Sequence, residues 1–400
     1  MTAFDVIVAG AGPAGLAAAC LVAQDGRRVA LVAANAAAND PRTVALMRPS
    51  IRLLEYIGLW PGALEQETTA LKRLRLVDDT GSRFKASTIT FDPGEIGETE
   101  FGWNFPLSLL IPALHARAIE LGVTMIDAEA RGAMMRDGTV QLATAGDTYT
   151  ARLLLAADGR NSVLRDAAGI RTNSWSYDQS AMATSFAHSG PHDGISTEYH
   201  RKAGPFTTVP LPRNRTSLVW MERPARAAEL MALPDADLAR EIQLACHGEL
   251  GLVSDIGPRK LFPMQGLVAR DFARNRTLLI GEAAHVVPPI GAQGLNMSLR
   301  DAAQAAELIA EHDDPGHPDV LHEYDTLRRR DVQPRQQAID LTNRSLLSGF
   351  FPLEAGRAAG IALLSRFAPL RRYVMQQGLA PVSGLPRIMR PQGKTQAVMA

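Results

Sequence analysis

The chain opens on an apolar run, Phe4-Asp5-Val6-Ile7-Val8-Ala9, whose composition predicts a buried parallel strand. Three spaced glycines follow, then an Ala/Leu-rich stretch reaching Gln24 that reads as a helix, and a second strand over 28–33. A helix is expected at 50–58 with Ser50 as its N-cap, and alternating strands over 71–89. Residues 107–121 read as a helix closed by Gly122, followed by strands at 123–127, 140–143 and 152–157. Four short strands, 182–188, 195–201, 206–210 and 216–220, are punctuated by Pro and Gly and predict a separate antiparallel sheet. Helices at 225–231 and 235–247, a strand at 261–267, a buried strand into Gly281 and a long helix over 295–312 complete the body.

The three glycines are Gly10-x-Gly12-x-x-Gly15, and each has a separate task. Gly10 permits the tight turn, Gly12 lets backbone approach a pyrophosphate, and Gly15 lets helix pack on strand. With Pro13 and Ala14 they place a helix N-terminus, with its free N–H groups and positive dipole end, against phosphates. The second strand of such a unit ends in an acid for the ribose hydroxyls. Ala33 stands there instead, leaving Asn35 as the nearest polar substitute and Asp40 as a residue that could fold back. Arg42, before the next helix, is a candidate for flavin or phosphate. Two further strand ends carry Asp158-Gly159 and Gly281-Glu282, at the sheet edge where ligands bind. A loop, Pro288-Pro289-Ile290-Gly291-Ala292-Gln293-Gly294-Leu295-Asn296, then feeds the long helix. Three such edges in one chain argue for a single extended cofactor. The fold class expected is α/β. A discontinuous Rossmann-like cofactor domain would take 1–70, 105–178 and 268–340, and an antiparallel-sheet substrate domain 71–104 and 179–267. A helical region would fill 341–400.

Length supports two lobes, since 400 residues exceed one typical core. Zero net charge gives no global case for nucleic-acid binding. Two cysteines, Cys20 and Cys246, make neither a disulfide framework nor a metal cluster, and a reducing cytoplasm fits. A start directly on a strand leaves no room for a signal peptide, and no apolar run has the length of a membrane span. The charge is unevenly placed: residues 341–400 hold eight basic residues against Glu354. Arg366, Arg371 and Arg372 lie there among Phe, Leu and Tyr, a pattern suited to an anionic membrane surface or, equally, to packing on the body.

On these stretches the chain resembles the group A FAD-dependent aromatic hydroxylases, the para-hydroxybenzoate hydroxylase type. Within them it looks most like the ubiquinone-biosynthesis hydroxylases. Asp40-Pro41-Arg42-Thr43-Val44-Ala45-Leu46, the loop 288–296 and the tail Gln377-Gly378-Leu379-Ala380-Pro381 with Leu385-Pro386 carry that likeness. The resemblance implies FAD held by Gly10, Gly12, Gly15, Asp158, Gly159, Gly281 and Glu282. Glu282 stands for the usual aspartate and Ala292 for the usual first glycine of the loop. It implies NAD(P)H as donor, bound transiently, since no second G-x-G-x-x-G exists. The expected reaction hydroxylates an aromatic, polyprenylated phenol with O2 through a flavin C4a-hydroperoxide. Pro288, Pro289 and Gly291 would shape the reactive edge, and His285 is the tempting base, although a structural role suits its position better. The expected location is cytoplasmic, peripheral to the inner membrane or a biosynthetic complex through 341–400. A same-fold enzyme acting on a soluble aromatic or a prenyl chain, and a non-catalytic scaffold subunit, are the other readings.

Overall fold

The computed structural model describes residues 3–34, 40, 42–81, 88–347, 351–378 and 384–391. The strand Ala3–Ala9 lies near the middle of the first sheet, with Val6, Ile7 and Val8 wholly buried. It pairs in parallel with Val29–Val32 on one side and Thr148–Ala156 on the other. Thr277–Leu279 and Thr124–Ile126 extend the sheet, again in parallel, and Ala273–Arg274 closes one edge. Runs buried on both faces explain why these strands read as continuous apolar stretches rather than alternating ones.

Helix Pro13–Gln24 follows the first turn, with a proline in its first turn, where a missing N–H costs nothing. Residues Gly15 to Val22 are all buried, so no polar face exists. Helices Leu107–Glu120 and Gln293–Glu311 cover it, and Cys20, the buried thiol, donates to the Leu114 carbonyl at 3.5 Å.

Among the described residues the second sheet has nine strands. Its centre is Thr172–His188, Arg215–Glu222, Gly204–Leu211 and Ile195–Arg201, joined antiparallel. Arg73–Asp78 adds a parallel neighbour, and Lys260–Ala269 runs along the other side of Thr172–His188. Helices Pro224–Ala232 and Asp235–Ala245 pack beside it. A three-stranded sheet, Thr43–Met47, Gly102–Pro106 and Thr69–Ala70, stands between the two larger ones. The C-terminal region is helical where described: Pro318–Leu347, Phe351–Arg366 and Ala368–Gly378.

Three local expectations are corrected. Ser50 is not an N-cap: the helix is Arg48–Tyr56, begun at Met47, and the buried Ser50 hydroxyl donates to Asn296 Oδ1 at 2.7 Å. The strand expected at 182–188 starts at Thr172, and a register shift between Ser176 and Ser180 lets its polar first half continue along Lys260–Ala269. A hairpin strand, Gly132–Arg136, was not expected; its Met134 and Met135 are exposed, so it lacks the alternation that marks a half-buried strand.

Candidate functional site

Between the first sheet's carboxyl edge and the inner face of the second sheet lies a cavity of about 660 Å3. The glycine turn forms part of its wall, and its three glycines divide into two kinds. A Cβ on Gly10, whose φ is +113°, would lie 2.1 Å from the Ala157 carbonyl oxygen. One on Gly15 would lie 2.1 Å from the Gly10 carbonyl oxygen. Both serve the close approach of turn, strand and helix. A Cβ on Gly12 would meet nothing within 4 Å, and Gly12, Pro13, Ala14 and Gly15 all border the cavity. No side chain caps this helix start, so its first N–H groups remain open to a ligand.

The other strand ends converge on the same space. Gly159, at φ +87°, Gly281, at φ +65°, and Glu282 line the cavity. The partly exposed Glu282 carboxylate accepts from Arg160 Nε at 3.2 Å. Arg42 lines it too, held by Asp40 through Nε at 3.0 Å and stacked over the Phe262 ring at 5.3 Å. Burial works to raise the Asp40 carboxyl, but the hydrogen bonds and charge of Arg42, with Lys260 nearby, hold it below its ordinary value. Asp40 therefore serves Arg42 rather than folding back toward a ribose. Ala33 ends its strand with its N–H on the Ile126 carbonyl, and Ala34 follows it. Asn35 lies outside the described residues.

Asp158 does not line the cavity. Its carboxylate accepts from Ser162 Oγ at 2.5 Å and from the Leu164 N–H at 3.2 Å, fastening the start of helix Val163–Ala167. Burial raises its carboxyl above the ordinary value. The loop behaves similarly. Pro289, Gly291, Ala292, Gly294 and Leu295 face the cavity, whereas Pro288, Gln293 and Asn296 do not. Gln293 Nε2 spans the carbonyls of Gly291 and Gly378, each at 3.1 Å. Asn296, 2% exposed, donates to the Ala45 and Ala292 carbonyls and accepts from the Met47 N–H and Ser50. It locks the loop to the strand Thr43–Met47. Ala292 occupies the left-handed region at φ +53°, a conformation glycine takes more readily.

His285 reaches the cavity wall, but its Nε2 is joined to Asp301 Oδ2 at 2.8 Å, and the ring is 2% exposed. Asp301 is wholly buried and also accepts from the Gly281 N–H at 2.9 Å and Arg328 Nε at 2.6 Å. Burial alone would raise this carboxyl; His285 and Arg328 hold it below its ordinary value. Arg328, Arg300 and Arg335 all reach Asp331, so the histidine ends a buried ionic chain that fixes the Gly281 turn. These bonds tie His285 to the Gly281 turn through Asp301.

Two groups of residues escaped the sequence reading. One is the Asp301–Arg328–Asp331 chain; charges embedded in the otherwise Ala-rich Gln293–Glu311 were a signal for it. The other is a polar set on the cavity wall: Asn104, Thr207 and Ser217. Asn104, alone among Trp103 and Phe105, was the readable sign.

The C-terminal helices correct one further expectation. Arg371 does not face solvent: its guanidinium grips Glu95 at 2.7 Å and the Leu364 and Ser365 carbonyls at 3.1 Å. Arg366 and Arg372 are exposed, beside exposed Leu363, Phe367, Tyr373 and Val374. Met375, from the helix Ala368–Gly378, is buried in one apolar cluster with Met47 and Leu71, which line the cavity.

Known proteins resemble this chain over most of its length. The family described as FAD binding domain matches residues 3–338. Ubiquinone hydroxylase UbiL of Rhodospirillum rubrum is 33% identical over 96% of this chain and 92% of its own length. The 3-demethoxyubiquinol 3-hydroxylase of Escherichia coli is 26% identical over 94% and 98%. Among solved structures, p-nitrophenol 4-monooxygenase PnpA of Pseudomonas putida superposes with a TM-score of 0.78 at 20% identity, covering 95% of this chain and 99% of that one, a likeness of fold.

Proposed function

The chain belongs to the FAD binding domain family, and from that premise we propose that it is an FAD-dependent monooxygenase hydroxylating the aromatic ring of a phenol in ubiquinone biosynthesis. The observation that carries this reading is the open cradle at Gly12, which shares one cavity with the inner face of the second sheet. The residues present fit an FAD. The uncapped helix start at Pro13–Gly15 would take the pyrophosphate, with Arg42 beside it, and Glu282 would accept from the ribityl hydroxyls. The loop Gly291–Leu295 would frame the ring system.

FAD, when bound, supplies dioxygen activation and the transfer of one oxygen atom to the ring. The chain's own residues position and exclude. Asn296 and the Asp301 chain fix the two turns that border the cofactor. The inner walls, including Leu71, Leu74, Phe91, Leu218 and Val219, are apolar, and keep water from the ring while holding it in place. NAD(P)H is the proposed electron donor, and among the described residues only one strand–glycine–helix dinucleotide unit is present, so the donor binds without a fold of its own. The division into cofactor lobe (1–70, 105–178, 268–340) and substrate lobe (71–104, 179–267) belongs to the same reading, and the separate sheets support it.

The substrate is proposed to be polyprenylated and fetched from a lipid surface or a partner complex. Among the described residues no helix is long and apolar enough to cross a membrane. Support for docking comes instead from Arg366 and Arg372 beside Leu363, Phe367, Tyr373 and Val374. The test of the whole reading is purification with a flavin absorbance spectrum, followed by turnover of a prenylphenol under isotopically labelled dioxygen. One labelled oxygen on the product ring is the expected result. A preparation that neither holds nor takes up flavin would return the chain to a scaffold role.

A further inference from the structure

Where the second sheet borders the cavity it presents, among the described residues, one acid, Glu198. Residues paired across its strands form a row along that wall: Leu76, Glu198, Thr207, Val219, Ala183 and Lys260. The other carboxylate on the cavity wall is Glu282, which is engaged by Arg160. The salt-bridge partner of Glu198 among the described residues is a histidine, His200.

Both carboxylate oxygens are placed by neighbours. His200, two residues along the strand and so on the same face, donates from Nε2 to Oε1 at 2.7 Å. Its ring is buried and its Nδ1 has no partner, so the bond to Glu198 is what orients it. Oε2 accepts from the Gly291 N–H at 3.3 Å. Gly291 borders the cavity and belongs to the loop proposed to frame the flavin ring. That contact is long, and a carboxylate oxygen has two lone pairs, so Oε2 retains capacity for a further donor. The side chain is 16% exposed, which leaves it within reach of a ligand in the cavity.

We propose that Glu198 is a catalytic residue whose Oε2 accepts the hydroxyl proton of the bound phenol while His200 holds Oε1. This rests on the reading of the cavity as a phenol hydroxylation site. The phenol O–H bond breaks, its electron pair stays on the ring oxygen, and a new O–H bond forms on Oε2. The phenolate so made is the electron-rich form of the ring, the one that attacks an electrophilic oxygen most readily. As the ring regains aromaticity its carbon sheds a proton to solvent, and the proton on Glu198 returns to the ring oxygen, restoring the carboxylate.

The test compares two substrates in the flavin-loaded enzyme. One is para-hexylphenol. The other is a ring-fluorinated hexylphenol, already ionised at the assay pH, with a carbon beside the hydroxyl left free. Single-turnover hydroxylation of each is measured in wild type and in Glu198→Gln, whose amide oxygen can still accept from Gly291 but takes up no proton. On para-hexylphenol the variant should be slower by about a hundredfold or more. On the ionised phenol it should keep its rate and bind more tightly, because a like charge has been removed. Flavin content should equal that of wild type. Equal loss on both phenols, or loss on neither, overturns the proposal, as does a folded variant without flavin, which would assign Glu198 to the loop alone. Should Glu198→Gln fail to fold, Glu198→Asp, with its carboxylate drawn back by one methylene, is read in the same way: slowing confined to the neutral phenol supports the proposal, and equal slowing overturns it. A flavin-loaded wild type that hydroxylates neither ring overturns the phenol reading itself.

Discussion

Valine at position 12 should leave the fold standing and exclude the cofactor. The backbone of Gly12 is extended, at φ −70° and ψ 168°, and a Cβ there meets no atom within 4 Å. A β-branched residue fits such a conformation, so the cost to the apoprotein is confined to a poorer helix cap, about 1 kcal/mol. That lowers the melting temperature by no more than about 2–4 °C. The valine does fill the space through which phosphate oxygens reach the open N–H groups of the helix. Two charge-assisted hydrogen bonds lost, at about 1.5–3 kcal/mol each, weaken FAD by more than roughly a hundredfold. The assay is thermal melting of apoprotein titrated with FAD. At a hundred times its dissociation constant FAD should add about 2.7 kcal/mol to wild type and nothing measurable to Gly12→Val. Gly10→Ala and Gly15→Ala are the contrast: each drives a methyl to 2.1 Å from a carbonyl oxygen and should cost the fold itself. Wild-type flavin content in Gly12→Val, or its collapse like the other two, would refute the division of the three glycines.

Four further outcomes are expected. Ala33→Glu supplies the missing ribose acceptor at the end of its strand and should tighten FAD by about 1.5–3 kcal/mol; an unchanged dissociation constant in an FAD titration would show that no contact was vacant there. Arg366→Gln with Arg372→Gln should weaken binding to anionic liposomes by about 2 kcal/mol, measured by co-sedimentation at low salt, because each basic residue near such a surface is worth about 1 kcal/mol. Arg371→Gln should instead lower the melting temperature, since its partner is Glu95; liposome binding unaffected by the first pair would leave these arginines to another role. Hydrogen bonding to Arg276 is the main reason Asp314 is lowered to about 2, so its stabilisation is complete above pH about 4 and is lost as the pH falls toward 2. Arg276→Gln should accordingly be less stable than wild type in denaturant titrations at neutral pH, and the gap should close by pH about 2; a gap constant with pH would exclude the pair as its source.

How much of this was readable in advance depends on the range of the interaction. The first strand, its glycine turn and its helix were legible because their signals are local: apolar runs, a proline at the helix start and glycines at fixed spacing. The same holds for Ile195–Arg201, whose ends match the expected ones. Side-chain direction was not legible. Asp158, Gln293 and Asn296 sit in the expected stretches, yet each turns its side chain to a neighbouring backbone or hydroxyl group, a choice settled by atoms that can be far away in sequence. Asn296 answers to Ala45 and Ser50, and Gln293 to Gly378. Arg371 shows the same limit: its amphipathic surroundings are plain in the sequence, and Glu95, its partner, is not.

The order of strands in the first sheet sets a timetable for synthesis. Ala3–Ala9 leaves the ribosome first, yet one of its two neighbours, Thr148–Ala156, comes well over a hundred residues later, and Thr277–Leu279 later still. At about 5–20 residues per second, the opening strand waits on the order of ten seconds for that neighbour and tens of seconds for the Gly281 turn beyond it. The glycine turn made first is therefore completed last. A nascent chain halted before the loop 288–296 presents phosphate-binding backbone without the walls that enclose a flavin, so cofactor loading waits for that loop.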